Sequence, residues 1–185
     1  MRLFFACITI IGCIIYICRY YSGQVAYPHA SGRIYYVNNT KSEVEKTRKV
    51  NLLHDLYLKS MDLLEHLKKI DNPPCKMLCS KYAYRHLQIE ELPRGMMNVF
   101  AFNVNKGDKI SICLSKENGL NELFFVVLHE LAHGMTVAYS HDERFWANFK
   151  FLIKVASKHN LYKNKDYASK PIPFCRHTLN HNPSF

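Results

Sequence analysis

The sequence has no internal repeat and no low-complexity tract. The first absence excludes solenoids and propellers, which are stable only as stacks of like units, and the second excludes a chain dominated by disordered linker. Acidic residues are few, 15 Asp and Glu against 25 Lys and Arg, giving a formal charge of +10. Such an excess favours acidic partners: anionic lipid headgroups, acidic proteins or nucleic acid. There is no basic run interleaved with aromatic residues, so the positive charge is scattered and nucleic acid is not the favoured partner. The membrane-surface reading is preferred.

One long apolar run is present. Leu3 to Cys18 is uncharged and is followed by Arg19-Tyr20-Tyr21. It falls just short of the roughly 17 to 25 residues of a membrane span, but Arg2 and Arg19 can snorkel and the two tyrosines suit an interface. Residues 1–21 are therefore expected to form a signal anchor, a transmembrane helix making this a single-pass membrane protein. Its topology stays open, because the arginines flanking the run are too evenly placed to orient it. A cleaved signal peptide is the competing reading, although Cys18 to Tyr21 lack an Ala-x-Ala pattern. Residues 22–41, with Gly, Pro and several Tyr but no clear period, read as a tether or a short strand. The remainder, 42–185, is long enough for one core and too short for two.

Within it, Ser42 to Glu45 forms a capping box, and Val50, Leu53, Leu56, Met61, Leu64 and Leu67 recur at helical spacing until Asp71-Asn72-Pro73-Pro74 stops the helix. A second helix is expected over Cys75 to Gln88. Ile89 to Leu92, Val99 to Val104 and Lys109 to Leu114 read as strands, the last two joined by a hairpin at Asn105 to Asp108. One of these two should be the strand along which a bound peptide backbone is added. From Leu161 onward Lys, Asn and Pro dominate and regular structure is not expected; His177 and His181 read as surface histidines.

The informative stretch is Val126 to Gly134, Val-Val-Leu-His-Glu-Leu-Ala-His-Gly. His129 and His133 lie one helical turn apart, so both imidazoles leave the same face and can take two corners of a tetrahedral zinc site. Glu130, beside the first of them, is the expected general base for the attacking water. With ten histidines in the chain, chance would produce H-E-x-x-H in about 1 of 40 such sequences. The context favours the motif: Asn121 to Ala132 is a largely apolar helix, which Gly134 is expected to end in a left-handed conformation. A catalytic zinc needs a third protein ligand. His141 is the choice, with Glu143 the alternative, and Asp142 should cap the helix that follows. The face of that helix, Phe145 and Phe149 to Ala156, should pack on the metal-motif helix, with Phe145 and Trp146 as core anchors. Tyr139, Tyr162 and His159 are candidates for stabilising an oxyanion.

His-Glu-Leu-Ala-His, a short loop, then His141-Asp142-Glu143-Arg144-Phe145-Trp146 resembles the WLM metalloproteases, relatives of the SprT-like proteases that cut proteins crosslinked to DNA. Asn103 to Leu114 is similar to the hairpin that precedes the metal helix in versions from large DNA viruses, and Tyr167 to Cys175 to their closing segment. The resemblance implies His129, His133 and His141 as ligands to Zn2+ and Glu130 as base. It also implies an α+β fold, a minimal zincin-like domain with a small antiparallel or mixed sheet packed on helices, acting on a protein or peptide substrate. Two other functions remain open: a zincin-fold membrane or virion assembly protein with little or no turnover, and a protease acting on DNA-bound proteins. Cys75, Cys79, Cys113 and Cys175 allow two disulfides in three connectivities, free buried thiols or, less simply, a structural zinc. The oligomeric state has no signature in the sequence.

Overall fold

Ser42 starts the longest helix through its hydroxyl, which accepts from the Glu45 amide at 3.2 Å; α1 runs Glu43–Leu67. Its apolar stripe, including Val50, Leu53, Leu56, Leu63, Leu64 and Leu67, is buried, and α1 is the spine on which sheet and helices pack. Asn72 precedes α2, Pro73–Tyr82. The two prolines expected only to stop the first helix thus open the second. A residue in a first helical turn has no intrahelical acceptor for its amide, so proline loses nothing there.

The computed structural model describes residues 23–83, 86–96 and 98–185. The apolar stretch read as a signal anchor lies outside them; among the described residues no helix is long and apolar enough to cross a membrane. The segment read as a tether or a short strand takes the second form, and is largely a hairpin, β1 Gln24–Pro28 antiparallel to β2 Ile34–Asn38. Tyr35 and Val37 point into the core. The alternation was hidden in the sequence because Ile34-Tyr35-Tyr36-Val37 is apolar on both faces. The hairpin is fastened by Glu91, whose carboxylate accepts from the Asn38 amide at 2.7 Å and pairs with Lys49 of α1 at 2.8 Å. Residues 24–38 therefore belong to the packed body.

Three strands form a mixed sheet in the order β3-β5-β4: Gln88–Glu91, Lys109–Ile112 and Ala101–Val104. The central β5 is parallel to β3 and antiparallel to β4, with Asn103 opposite Ile110. Asn105, Lys106 and Gly107 turn the β4–β5 hairpin with positive φ, and β4 is left at one edge, with β3 at the other. Behind the sheet lie α3, Leu120–Gly134, and α4, Glu143–Lys158, packed on one another and on α1.

Gly134 does not take the expected left-handed conformation. It stays helical, and Met135 caps α3. A side chain at Gly134 would meet Leu78 Cδ1 at 2.6 Å and the Lys106 carbonyl oxygen at 3.1 Å, so glycine is needed there for close approach of α2 and the β4–β5 turn. The tail expected to be irregular carries a second hairpin, β6 Ile172–Phe174 and β7 His177–Leu179. Phe174 is fully buried, and Cys175 at the turn is disulfide-bonded to Cys113 just after β5. Of the connectivities left open this is the bond formed; Cys75 and Cys79 on α2 are free and buried. The architecture is α+β, small sheets packed on four helices among the described residues.

Candidate metal centre

α3 is buried along nearly its whole length, which fixes the rotation of the helix and with it the direction of its few polar residues. His129 and His133 leave the packed face together and are only half-buried. His141 comes from the α3–α4 loop, one residue before Asp142, whose carboxylate accepts from the Phe145 amide at 2.9 Å and so sets where α4 begins. That loop is tied on two sides. Asn148 donates to the Met135 carbonyl and the Thr136 hydroxyl, each at 3.0 Å. From the β4–β5 turn the Lys106 ammonium donates to the Thr136 carbonyl at 3.0 Å and also to that of Val137.

The outcome is a convergence of three imidazoles. His141 Nε2 lies 3.1 Å from His129 Nε2 and 3.2 Å from His133 Nε2, and the ligand-capable nitrogens all fall within 4.8 Å. Two nitrogens bound tetrahedrally to zinc at ~2.0–2.1 Å would be about 3.3 Å apart, so the spacing suits a small tetrahedral cation. A shared proton does not suit it as well, because a single N–H cannot satisfy three facing lone pairs. The donor set, three nitrogens and no sulfur, fits zinc. Burial, reinforced by the neighbouring rings, pushes His129 down to about 3 and His133 down to about 4. Both are therefore neutral near pH 7, the form that ligates. Phe145, fully buried, is the floor, its ring centroid 4.5 to 4.8 Å from each of the three imidazoles. Glu143, the alternative third ligand, is exposed on the first turn of α4 and outside this group.

Glu130 is buried beside the cluster. Burial pushes its carboxyl up to about 7, while a hydrogen bond from Asn103 pulls it the other way. Asn103, on the edge strand β4, donates through Nδ2 to Glu130 Oε2 at 2.9 Å and to the Glu130 carbonyl at 3.0 Å. The sequence had placed a peptide-binding strand in this hairpin without giving Asn103 or Lys106 a role. The signal available was a polar residue on the face of β4 shared with Ala101, in a strand otherwise apolar.

Of the three oxyanion candidates, only Tyr139 borders the cleft, its ring 4.1 Å beneath the Lys106 ammonium. Tyr162 is buried against Phe125 and Tyr167, and His159 stacks on His66 at the opposite end of α4. Phe145 is a core anchor as expected, but Trp146 is partly exposed and lines the cleft beside His141. His177 and His181 border it too: His177 is half-buried, 4.8 Å from the Phe100 ring, whereas His181 is exposed, as expected of a surface histidine, and meets Trp146 edge-on at 5.3 Å.

The WLM domain matches residues 45–170, well over half of the chain. An uncharacterized protein of Acanthamoeba polyphaga mimivirus is 40% identical over 80 residues, which is 40% of this chain and 41% of that protein. The chain thus spans about two fifths of the length of the curated relative it matches. No solved structure matches it.

Proposed function

This chain belongs to the WLM domain family, and on that premise we propose that it is a zinc metalloprotease of zincin-like fold, hydrolysing peptide bonds with Glu130 as general base. The observation that carries the reading is the convergence of His129, His133 and His141 beside a buried carboxylate held by Asn103. When bound there, zinc supplies a Lewis acid for the scissile carbonyl and brings the pKa of a water toward about 7. Glu130, with a carboxyl raised toward neutrality, takes a proton from the attacking water and delivers it to the leaving amine. Asn103 holds the carboxylate in place for both transfers. β4 is an edge of its sheet and runs past Glu130, so its free backbone groups are the ones on which an extended peptide is added.

The hairpin β1–β2 is part of the protease body, which then spans about residues 24–185. The apolar Leu3 to Cys18 stretch would hold that body at a membrane, a reading that rests on its sequence.

Zinc analysis of the full chain tests the function, together with His141→Ala and Glu130→Gln. One zinc per chain is expected, with retention sharply weakened in His141→Ala. Glu130→Gln should keep its metal and lose hydrolysis of a peptide mixture by about 10²- to 10⁴-fold. A chain that takes up no zinc on reconstitution, or a Glu130→Gln variant as active as the parent, would leave an assembly protein built on the same fold as the better reading.

A further inference from the structure

One flank of the histidine cluster opens into a groove of about 420 Å³, which His129, Glu130 and His141 help to line. Its walls are Phe100 before β4, Val126 of α3, Trp146 of α4 and Leu179 of β7, and apart from Glu130 no Asp, Glu, Lys or Arg lines it. The other flank opens into a smaller cavity of about 280 Å³ that is bordered by Asn103, Asn105, Lys106 and Tyr139. Ala101, His129, Glu130 and His141 border both spaces. The cluster therefore sits where an apolar space meets a polar one, and β4 passes along both, its Ala101 end at the groove and its Asn103 end at the polar cavity.

This arrangement gives a bound peptide a direction. Antiparallel pairing is the more stable way to add a strand. A peptide lying antiparallel to β4 runs from the Asn103 end toward the Ala101 end, passing the polar cavity first and the groove second. The residue on the carboxyl side of the bond over the metal centre then faces the groove. Beyond the histidine cluster the groove's polar lining is Asn98, Asn180, Thr178 and the imidazoles of His177 and His181, and the only carboxylate is Glu130. A charged side chain is therefore poorly solvated there, whereas a large apolar one meets Phe100, Val126, Trp146 and Leu179. One wall lies outside the matched residues: the β6–β7 hairpin begins at Ile172, just beyond residues 45–170, and is fastened by Cys113–Cys175.

Resting on the protease reading above, we propose that this groove receives a large apolar side chain on the carboxyl side of the cleaved bond. The C-terminal hairpin, through Leu179, then closes one side of a pocket whose other walls, Phe100, Val126 and Trp146, come from the shared domain.

The test uses the full chain loaded with zinc, a mixed peptide library, and mass spectrometry of the new amino termini. Phe, Tyr, Leu and Met are expected as the newly exposed first residue at least about tenfold over Ala, Gly and Asp, since a methylene in an apolar pocket is worth roughly ten- to two-hundredfold in kcat/KM. Val126→Phe, which narrows the groove, should move the preference to smaller residues, and Leu179→Ala to larger ones. Binding is read independently of turnover, because Trp146 is the single tryptophan of the chain. Its fluorescence in Glu130→Gln should respond to a Phe-containing peptide at a concentration about tenfold below that needed for the Ala counterpart. Cleavage with no selection at that position, or selection only on the amino side of the bond, overturns the proposal and leaves the protease standing. Zinc-loaded chain that cuts no peptide removes the protease reading and this proposal with it.

Discussion

Asn103 and Glu130 are 27 positions apart in sequence, yet one side-chain amide of the first grips two oxygens of the second. Its hydrogen bond opposes the effect of burial on the carboxyl, and it keeps the carboxylate from swinging away from the imidazoles. Asn103→Ala should therefore keep its zinc while kcat falls about ten- to hundredfold, the scale of a lost hydrogen bond to a charged group. Steady-state kinetics beside metal analysis decides this: if zinc falls in step with kcat, Asn103 serves the centre's shape and not the base. The histidines were legible because a four-residue spacing on a helix needs no tertiary knowledge, and His141 because it follows within one loop. Asn103 was not, since its role depends on which strand forms the sheet edge and how that edge lies along α3. Gly134 was legible as special but not as to why, because the atoms that exclude a side chain there come from α2 and a distant turn.

At the scale of elements, Glu91 fastens the β1–β2 hairpin to the body. Its carboxylate serves Lys49 of α1 and the amide of Asn38 at the end of β2, and its backbone carbonyl accepts from the Gln24 side chain of β1. Both members of the ion pair are almost fully buried, at 9% and 5% side-chain exposure, so removing one leaves the other without a counter-charge. Glu91→Gln is expected to cost about 3–5 kcal/mol, with the Lys49→Met, Glu91→Leu pair milder than either single change. Thermal unfolding of Glu91→Gln, of the two single changes and of the pair measures it, and additive losses would show that the pair is not coupled. The helices were legible from their periodicity, and their starts from Ser42 and Asp142, since caps are local. Of the flanking hairpins no more than a short strand within residues 22–41 was, because β1–β2 is fastened by a carboxylate more than fifty residues away and β6–β7 by a cysteine 62 residues away.

Across the whole molecule, the Cys113–Cys175 bond joins the sheet to the groove wall. Closing a loop of this separation is worth about 4 kcal/mol in chain entropy. Cys175→Ser should lower the unfolding free energy by roughly that amount, as read from denaturant titration. Zinc content should hold, because no metal-site residue lies on β6 or β7. Selectivity for large apolar residues should weaken more than overall cleavage, and the reverse order would place the hairpin in support of the metal centre. Length spoke for one body, and the family resemblance for an α+β fold. Both were silent on how the ends of the chain fold back onto the middle, which is settled by contacts between distant segments.

The two unpaired cysteines have a use of another kind. Cys75 and Cys79 are sealed between α2 and α1, and burial pushes both thiols above their ordinary range, so an alkylating reagent near neutral pH finds neither a surface nor a thiolate. Modification has to wait for α2 to lift from its neighbour. The rate at which the peptide carrying these two residues gains mass is therefore a clock for local opening, built into the chain on the far side of Gly134 from the imidazoles. If metal uptake slows that clock, the centre and the α2 contact breathe as one unit.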